Sequence, residues 1–185
     1  MASGAERCAL CRAEPAGGDL ARLFGLDFCP SCRQSDPADK LAALDIAVEW
    51  DTRLMRFSAG LGIAGQDPDL YLKCAPELWY HKLLKPVVKD FEVGDAHFDD
   101  QIRIRTSNPD LAGPLLASDG VRAALLALLG DVRVNELVGS HVTLEGPTLL
   151  ISTRPLGGLP PEKIQQLKLA AVALALHLRF RDTAS

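Results

Sequence analysis

Residues 131–180 read DVRVNELVGSHVTLEGPTLLISTRPLGGLPPEKIQQLKLAAVALALHLRF, and this stretch decides the fold class. DVRVNEL, SHVTLEG and TLLISTR each alternate apolar and polar residues, the period of a half-buried strand. Val138-Gly139-Ser140 and Gly146-Pro147 supply the turns between them. The pattern then changes period. Pro160-Pro161-Glu162 opens a helix running to about Phe180, with Ile164, Leu167, Ala171, Leu174 and Leu178 along one face. A β-meander followed by a helix that covers one of its faces makes the fold class α+β. Leu169, Val172, Ala173 and Leu176 lie off the main stripe, so this helix is apolar nearly all round. Such a helix is either central in the core or packed on another chain, which leaves a homo-oligomer through the C-terminal helix open.

Upstream, Leu111–Ala117 and Val121–Leu129 are helical patterns, the second preceded by Ser118-Asp119 as a cap. Before them stands FEVGDAHFDDQIRIRTS, residues 91–107. QIRIR is a strand pattern with Ile102 and Ile104 inward and Arg103 and Arg105 outward, ended by Asn108-Pro109. Phe98 is a core candidate. Gly94 turns the chain, and Asp95 or Asp99 caps local backbone donors. Residues 50–75 read as β structure broken at Gly60, Gly62 and Gly65, with a turn at Gln66–Asp69. Leu70, Leu72 and Cys74 alternate on one strand face. The structure of 76–90, with Pro76, Pro86 and the Leu78–His81 cluster, is left open. Asp36, Pro37 and Asp39 mark a helix start, and Leu41, Leu44 and Val48 at i, i+3, i+7 predict a helix over 37–48. Ile46, Val48 and Trp50 also alternate, which is the competing strand reading.

The N-terminal stretch carries the strongest chemical signal. Cys8, Cys11, Cys29 and Cys32 form Cys-x2-Cys-x17-Cys-x2-Cys. Two CxxC knuckles brought together by a hairpin present four soft donors to one Zn²⁺, with no position left for water, so the site reads as structural. Leu20, Leu23, Phe24, Leu26 and Phe28 are too apolar for an open loop and predict that hairpin beside the metal. Arg7, Arg12 and Arg33 lie close enough in sequence to offset the negative charge of four thiolates on one Zn²⁺. The alternatives are redox CxxC pairs, a disulfide or an iron–sulfur site. These residues resemble the zinc-ribbon and treble-clef zinc modules over about 30 residues, and the helix start after the second knuckle leans toward the treble clef. That group binds DNA, RNA and proteins alike, so the resemblance implies a metal and not a partner. The domain reading is a zinc module over 1–36 and an α+β domain over 37–185, with a subdivision near 90. Separately, Gly94-Asp95-x-x-Phe98-Asp99, then Asn108-Pro109, Leu115-Leu116 and Ala124-Leu125-Leu126, resembles a module of uncharacterised bacterial proteins spanning Phe91–Phe180. It implies a fold-level relative and no chemistry.

Other chemistry is weakly signalled. Asp95, His97, Asp99 and Asp100 fall within six residues and suit either a metal or acid–base site, or a polar turn before a strand. His81, His141 and His177 are isolated, and Cys74 reads as a buried structural thiol. No P-loop, GxSxG, HExxH or EF-hand loop is present, and the glycine-fingerprint-like stretch Gly60-Leu61-Gly62-Ile63-Ala64-Gly65 is discarded because no clear helix follows it.

The 185 residues carry a net charge of −4 and are 48% hydrophobic, values of an ordinary globular chain. Residues 1–40 hold five Lys/Arg against six Asp/Glu, and residues 41–185 hold 15 against 18, so neither part is basic and nucleic acid is disfavoured as a partner. No apolar run of signal-peptide length precedes Cys8, the longest run, Leu169–Leu176, is far short of a membrane span, and paired CxxC units suit a reducing, cytoplasmic setting. The heavy use of Ala, Leu, Gly and Arg suggests a GC-rich bacterial gene. The expectation is a non-enzymatic zinc-containing binding or adaptor protein with a protein partner. The alternatives are an enzyme with a site near Asp95–Asp100 and a nucleic-acid-binding regulator acting through Arg7, Arg12, Arg22 and Arg33.

Overall fold

The computed structural model describes residues 7–14, 19–51, 56–61, 70–77, 90–130, 139–153 and 159–180. The first strand of the expected meander (131–137), the expected turn at Gln66–Asp69 and the Leu78–His81 cluster lie outside them. The fold is α+β, as the change of period predicts. A two-stranded hairpin, β1 (Ala21–Leu23) and β2 (Leu26–Phe28), leads into two short helices, α1 (Pro30–Gln34) and α2 (Ala38–Ala42). Then follow β3 (Ala47–Asp51), β4 (Arg56–Gly60), β5 (Tyr71–Pro76), the short helix α3 (Ala96–Asp99) and β6 (Ile102–Thr106). Helices α4 (Pro109–Leu116) and α5 (Asp119–Leu125) come next, with α5 running on into a π-helical turn at Leu126–Gly130. Strands β7 (His141–Glu145) and β8 (Thr148–Ser152) precede the long helix α6 (Pro161–Arg179).

Strands β3 to β8 form one six-stranded antiparallel sheet in the order β3-β4-β8-β7-β5-β6. Register aligns Phe57, Ile151, Val142, Cys74 and Ile104 in one row across five strands. Each of these side chains is buried. The opposite face carries Ser58, Thr143, Lys73 and Arg105, so the sheet is dry on one side and wet on the other. Tyr71 and Leu150, each 37% exposed, stand on the wet side.

On the dry side, Leu174 and Leu178 of α6 meet Val142, Leu144 and Leu149 of the sheet, together with Leu116 and Leu125 of α4 and α5. The main stripe of α6 is therefore spent on the sheet. The off-stripe residues Leu169, Val172, Ala173 and Leu176 are buried too, because other parts of this same chain cover the rest of the helix. An apolar run without a polar face is what a helix enclosed on all sides requires.

The helix expected over 37–48 is corrected to α2 alone. Asp36 plays its capping part, its Oδ1 accepting the Ala38 amide at 3.0 Å. The helix stops because Asp45 turns left-handed (φ +58°) and the Ile46 amide bonds back to Leu41 O at 3.0 Å. Val48 and Trp50 then pair with Ala59 and Phe57 of β4. Cross-strand pairing decides between two periodicities the local sequence holds equally well.

Candidate metal centre

The first knuckle, Cys8–Cys11, is a tight loop closed by Cys8 N–H to Ala13 O (3.0 Å) and Arg12 N–H to Cys8 O (2.9 Å). Arg12 takes φ +61°, which swings the chain away after Cys11. The β1–β2 turn places Phe24 (φ +53°) and Gly25 (φ +76°) both left-handed, the pairing of a two-residue hairpin turn. That hairpin delivers the second knuckle, with Cys29 at the N-cap of α1 and Cys32 inside its first turn. The Ala9 amide bonds to Asp27 O at 2.7 Å and ties the first knuckle to the hairpin.

The four sulfurs lie within 4.8 Å of one another. A tetrahedral Zn–S₄ site with bonds of about 2.3 Å has sulfur–sulfur edges of about 3.8 Å. Cys11 Sγ and Cys29 Sγ are 3.7 Å apart, so the donor set fits a metal of that size. Cys8, Cys29 and Cys32 are buried and Cys11 half-buried. The arrangement also holds thiolates. The Cys29 amide donates to Cys8 Sγ (3.4 Å), and Ser31 Oγ lies 3.2 Å from Cys29 Sγ. Burial opposes ionisation of Cys29, yet Ser31 and the Cys32 amide together bring its thiol down to about 6. Cys32, buried and beside the other thiols, is pushed up to about 12 despite Lys40. Four neighbouring thiols cannot all ionise without a cation among them, and a divalent cation removes that conflict.

Lys40 is the cation that sequence reasoning missed. Its Nζ donates to Cys32 Sγ and to Ser35 Oγ, each at 3.2 Å. None of the three expected arginines hydrogen-bonds a cysteine sulfur. Arg7 pairs with Glu14 (2.8 Å), Arg12 lies over the Phe180 ring (5.1 Å), and Arg33 has a buried Nε with no partner. The signal was available, since Lys40 sits eight residues past Cys32 on the helix that Asp36 caps.

The metal-site residues also belong to the main core: Cys8, Leu10, Phe28, Cys29 and Cys32 join one apolar cluster with α6 and the sheet. Along α6, Gln165 Nε2 donates to Arg33 O (2.6 Å), Lys168 pairs with Asp36 (3.4 Å), and His177 Nε2 donates to Phe24 O (2.7 Å). The hairpin tip also abuts α5. A Cβ built on Gly120 would fall 2.3 Å from His177 Nε2 and 2.7 Å from Phe24 O. Between the metal module and the helices lies a cavity of about 630 Å³, walled by Leu26, Leu115, Val121 and Leu176, with Arg12, Ser118 and His177 as its polar members.

The remaining candidates are structural. Asp95 Oδ1 accepts the amides of His97 (3.1 Å) and Phe98 (3.2 Å), and Asp99 accepts those of Val93 (3.0 Å) and Gly94 (2.9 Å). Gly94 is left-handed (φ +89°) and Phe98 is fully buried, so the Gly-Asp-x-x-Phe-Asp motif is accounted for as a double-capped turn. Arg122 pairs with Asp95 at 3.3 Å, and the exposed His97 ring bonds Gln101. Among the described residues the cysteines are the one group close enough to share a metal ion, and Asp95, His97, Asp99 and Asp100 do not form another. His141 donates to Gly139 O (3.0 Å), and His81 lies outside the described residues. Cys74 is buried in β5, and that burial pushes its thiol up to about 12.

No protein-family model, curated protein or solved structure matches the chain at a significant level. Among the described residues no single helix is long and apolar enough to cross a membrane.

Proposed function

We propose that the chain is a non-catalytic binding or adaptor protein of the cytoplasm, built on one structural Zn²⁺ in a treble-clef-type module. The observation that carries this reading is the donor set: four cysteine sulfurs within 4.8 Å of one another, three of the four cysteines buried. A catalytic zinc keeps one position for water, and this site spends all four on protein. The second knuckle at the start of a helix, after a hairpin, is the arrangement that favours a treble clef over a ribbon. Protein contact is the favoured mode of action. Among the described residues, the wet face of the sheet carries both exposed large apolar side chains, Tyr71 and Leu150. Against a nucleic-acid reading, Arg7 is paired with Glu14 and the Nε of Arg33 is buried, so the four arginines do not make one free basic face.

Elemental analysis of purified protein tests the metal: about one zinc per chain is expected. Cobalt substitution should give the visible bands of a tetrahedral four-thiolate site. Iron with its own absorbance, no metal, or a cobalt spectrum of higher coordination would overturn the reading.

A further inference from the structure

The cavity between the metal module and the helices has the character of a ligand site. Its volume of about 630 Å³ lies within the range of roughly 300–1,000 Å³ that small-molecule sites occupy. Leu26, Val121, Leu176 and Phe180 make it apolar. Arg12 gives it a cation, and among the described residues no carboxylate pairs with that guanidinium, which lies only over the Phe180 ring. Ser118 also lines the site and makes no capping bond to α5. His177 is fixed there by its bond to Phe24 O.

An apolar chamber with one exposed guanidinium at its rim complements an apolar body bearing one anionic group, because a guanidinium can bind a carboxylate bidentately. We propose that this cavity binds a small amphipathic carboxylate, its hydrocarbon body between Leu26, Val121 and Leu176 and its carboxylate on Arg12. The inference rests on the metal reading to this extent: the folded first knuckle holds Arg12 over the cavity.

The test uses zinc-loaded, full-length protein and decanoate as probe, with decan-1-ol as its neutral counterpart. Calorimetry should show one decanoate per chain, bound at least about tenfold more tightly than the alcohol, the worth of one charge-assisted pair. The His177 ring signals in the NMR spectrum should shift on binding. Arg12→Asn, which suits the left-handed backbone there, should weaken decanoate by about tenfold or more and leave decanol unchanged. Leu26→Trp, which narrows the chamber, should weaken binding of both acid and alcohol at unchanged melting temperature. Equal affinity for acid and alcohol, or Arg12→Asn binding decanoate as wild type with full zinc content, would overturn the proposal. So would tighter binding of an uncharged capped leucine peptide at the same His177 signals, which would assign the cavity to a protein partner. Zinc content is measured on every sample. Arg12-dependent decanoate binding by zinc-free protein would support the site while sinking the zinc reading.

Discussion

Gly120→Ala separates what a helix prefers from what this structure allows. On local grounds the change should stabilise α5, since glycine inside a helix costs about 0.5–1 kcal/mol relative to alanine. The structure reverses the sign. The new methyl would meet His177 Cε1 at 2.5 Å and Nε2 at 2.3 Å, and Phe24 O at 2.7 Å. The histidine can rotate away, but its 2.7 Å bond to Phe24 O then breaks. The carbonyl belongs to the turn of the β1–β2 hairpin and moves only with it. Overpacking costs about 1–3 kcal/mol and a lost hydrogen bond about 0.5–1.5 kcal/mol, which together exceed the helical gain. A net loss near 2 kcal/mol lowers the melting temperature of a chain of this size by about 4–8 °C. Thermal melting of zinc-loaded wild type, Gly120→Ala, His177→Ala and the double variant measures it. The double variant should recover only part of the loss, because Phe24 O still blocks the methyl. A Gly120→Ala protein that melts at or above wild type would refute the docking of the hairpin on α5 and α6.

Leu176→Glu should unfold the chain, since Leu176 is buried on the α6 face that the metal module covers. A folded variant with an altered association state, seen by melting and sizing together, would move that face to an intermolecular contact. Lys40→Met should weaken zinc about 10–100-fold in chelator competition, the usual cost of losing a partner of a metal ligand, and an unchanged affinity would make Lys40 a bystander. Cys74 should resist thiol reagents until the chain unfolds. Its folded thiol titrates near 12 against 9.0 for a free one, so it contributes stability below pH 9 that is lost as pH rises from 9 toward 12. Cys74→Val should flatten that alkaline decline in a denaturation series, and an unaltered slope would place the cause elsewhere.

The features legible in the sequence are those whose physics is local. The paired CxxC spacing, the apolar hairpin between its halves and the capped turn at Gly94–Asp99 each declare themselves within a few residues. The 37–48 segment misleads because Leu41, Leu44 and Val48 satisfy a helix while Ile46, Val48 and Trp50 satisfy a strand. The tie is broken by β4, which no local window contains. The enclosure of α6 is legible only as an ambiguity, since Leu176 reads the same whether this chain or another covers it. Arg12, Gly120 and His177 meet only in three dimensions, so no spacing rule marks them, and Lys40 passes for an ordinary helical lysine until a sulfur is seen beside it.

The bond from His177 to Phe24 spans 153 residues. On a ribosome adding roughly 5–20 residues per second, the hairpin emerges about 8–30 s before its clamp. During that interval the cysteines can gather a metal, yet Ala9, Leu26 and the turn carbonyl have nothing to rest against. Helix α6, made late, therefore closes over the four-cysteine hairpin made early, and a chain that stalls before α6 leaves that cluster on an unfinished body.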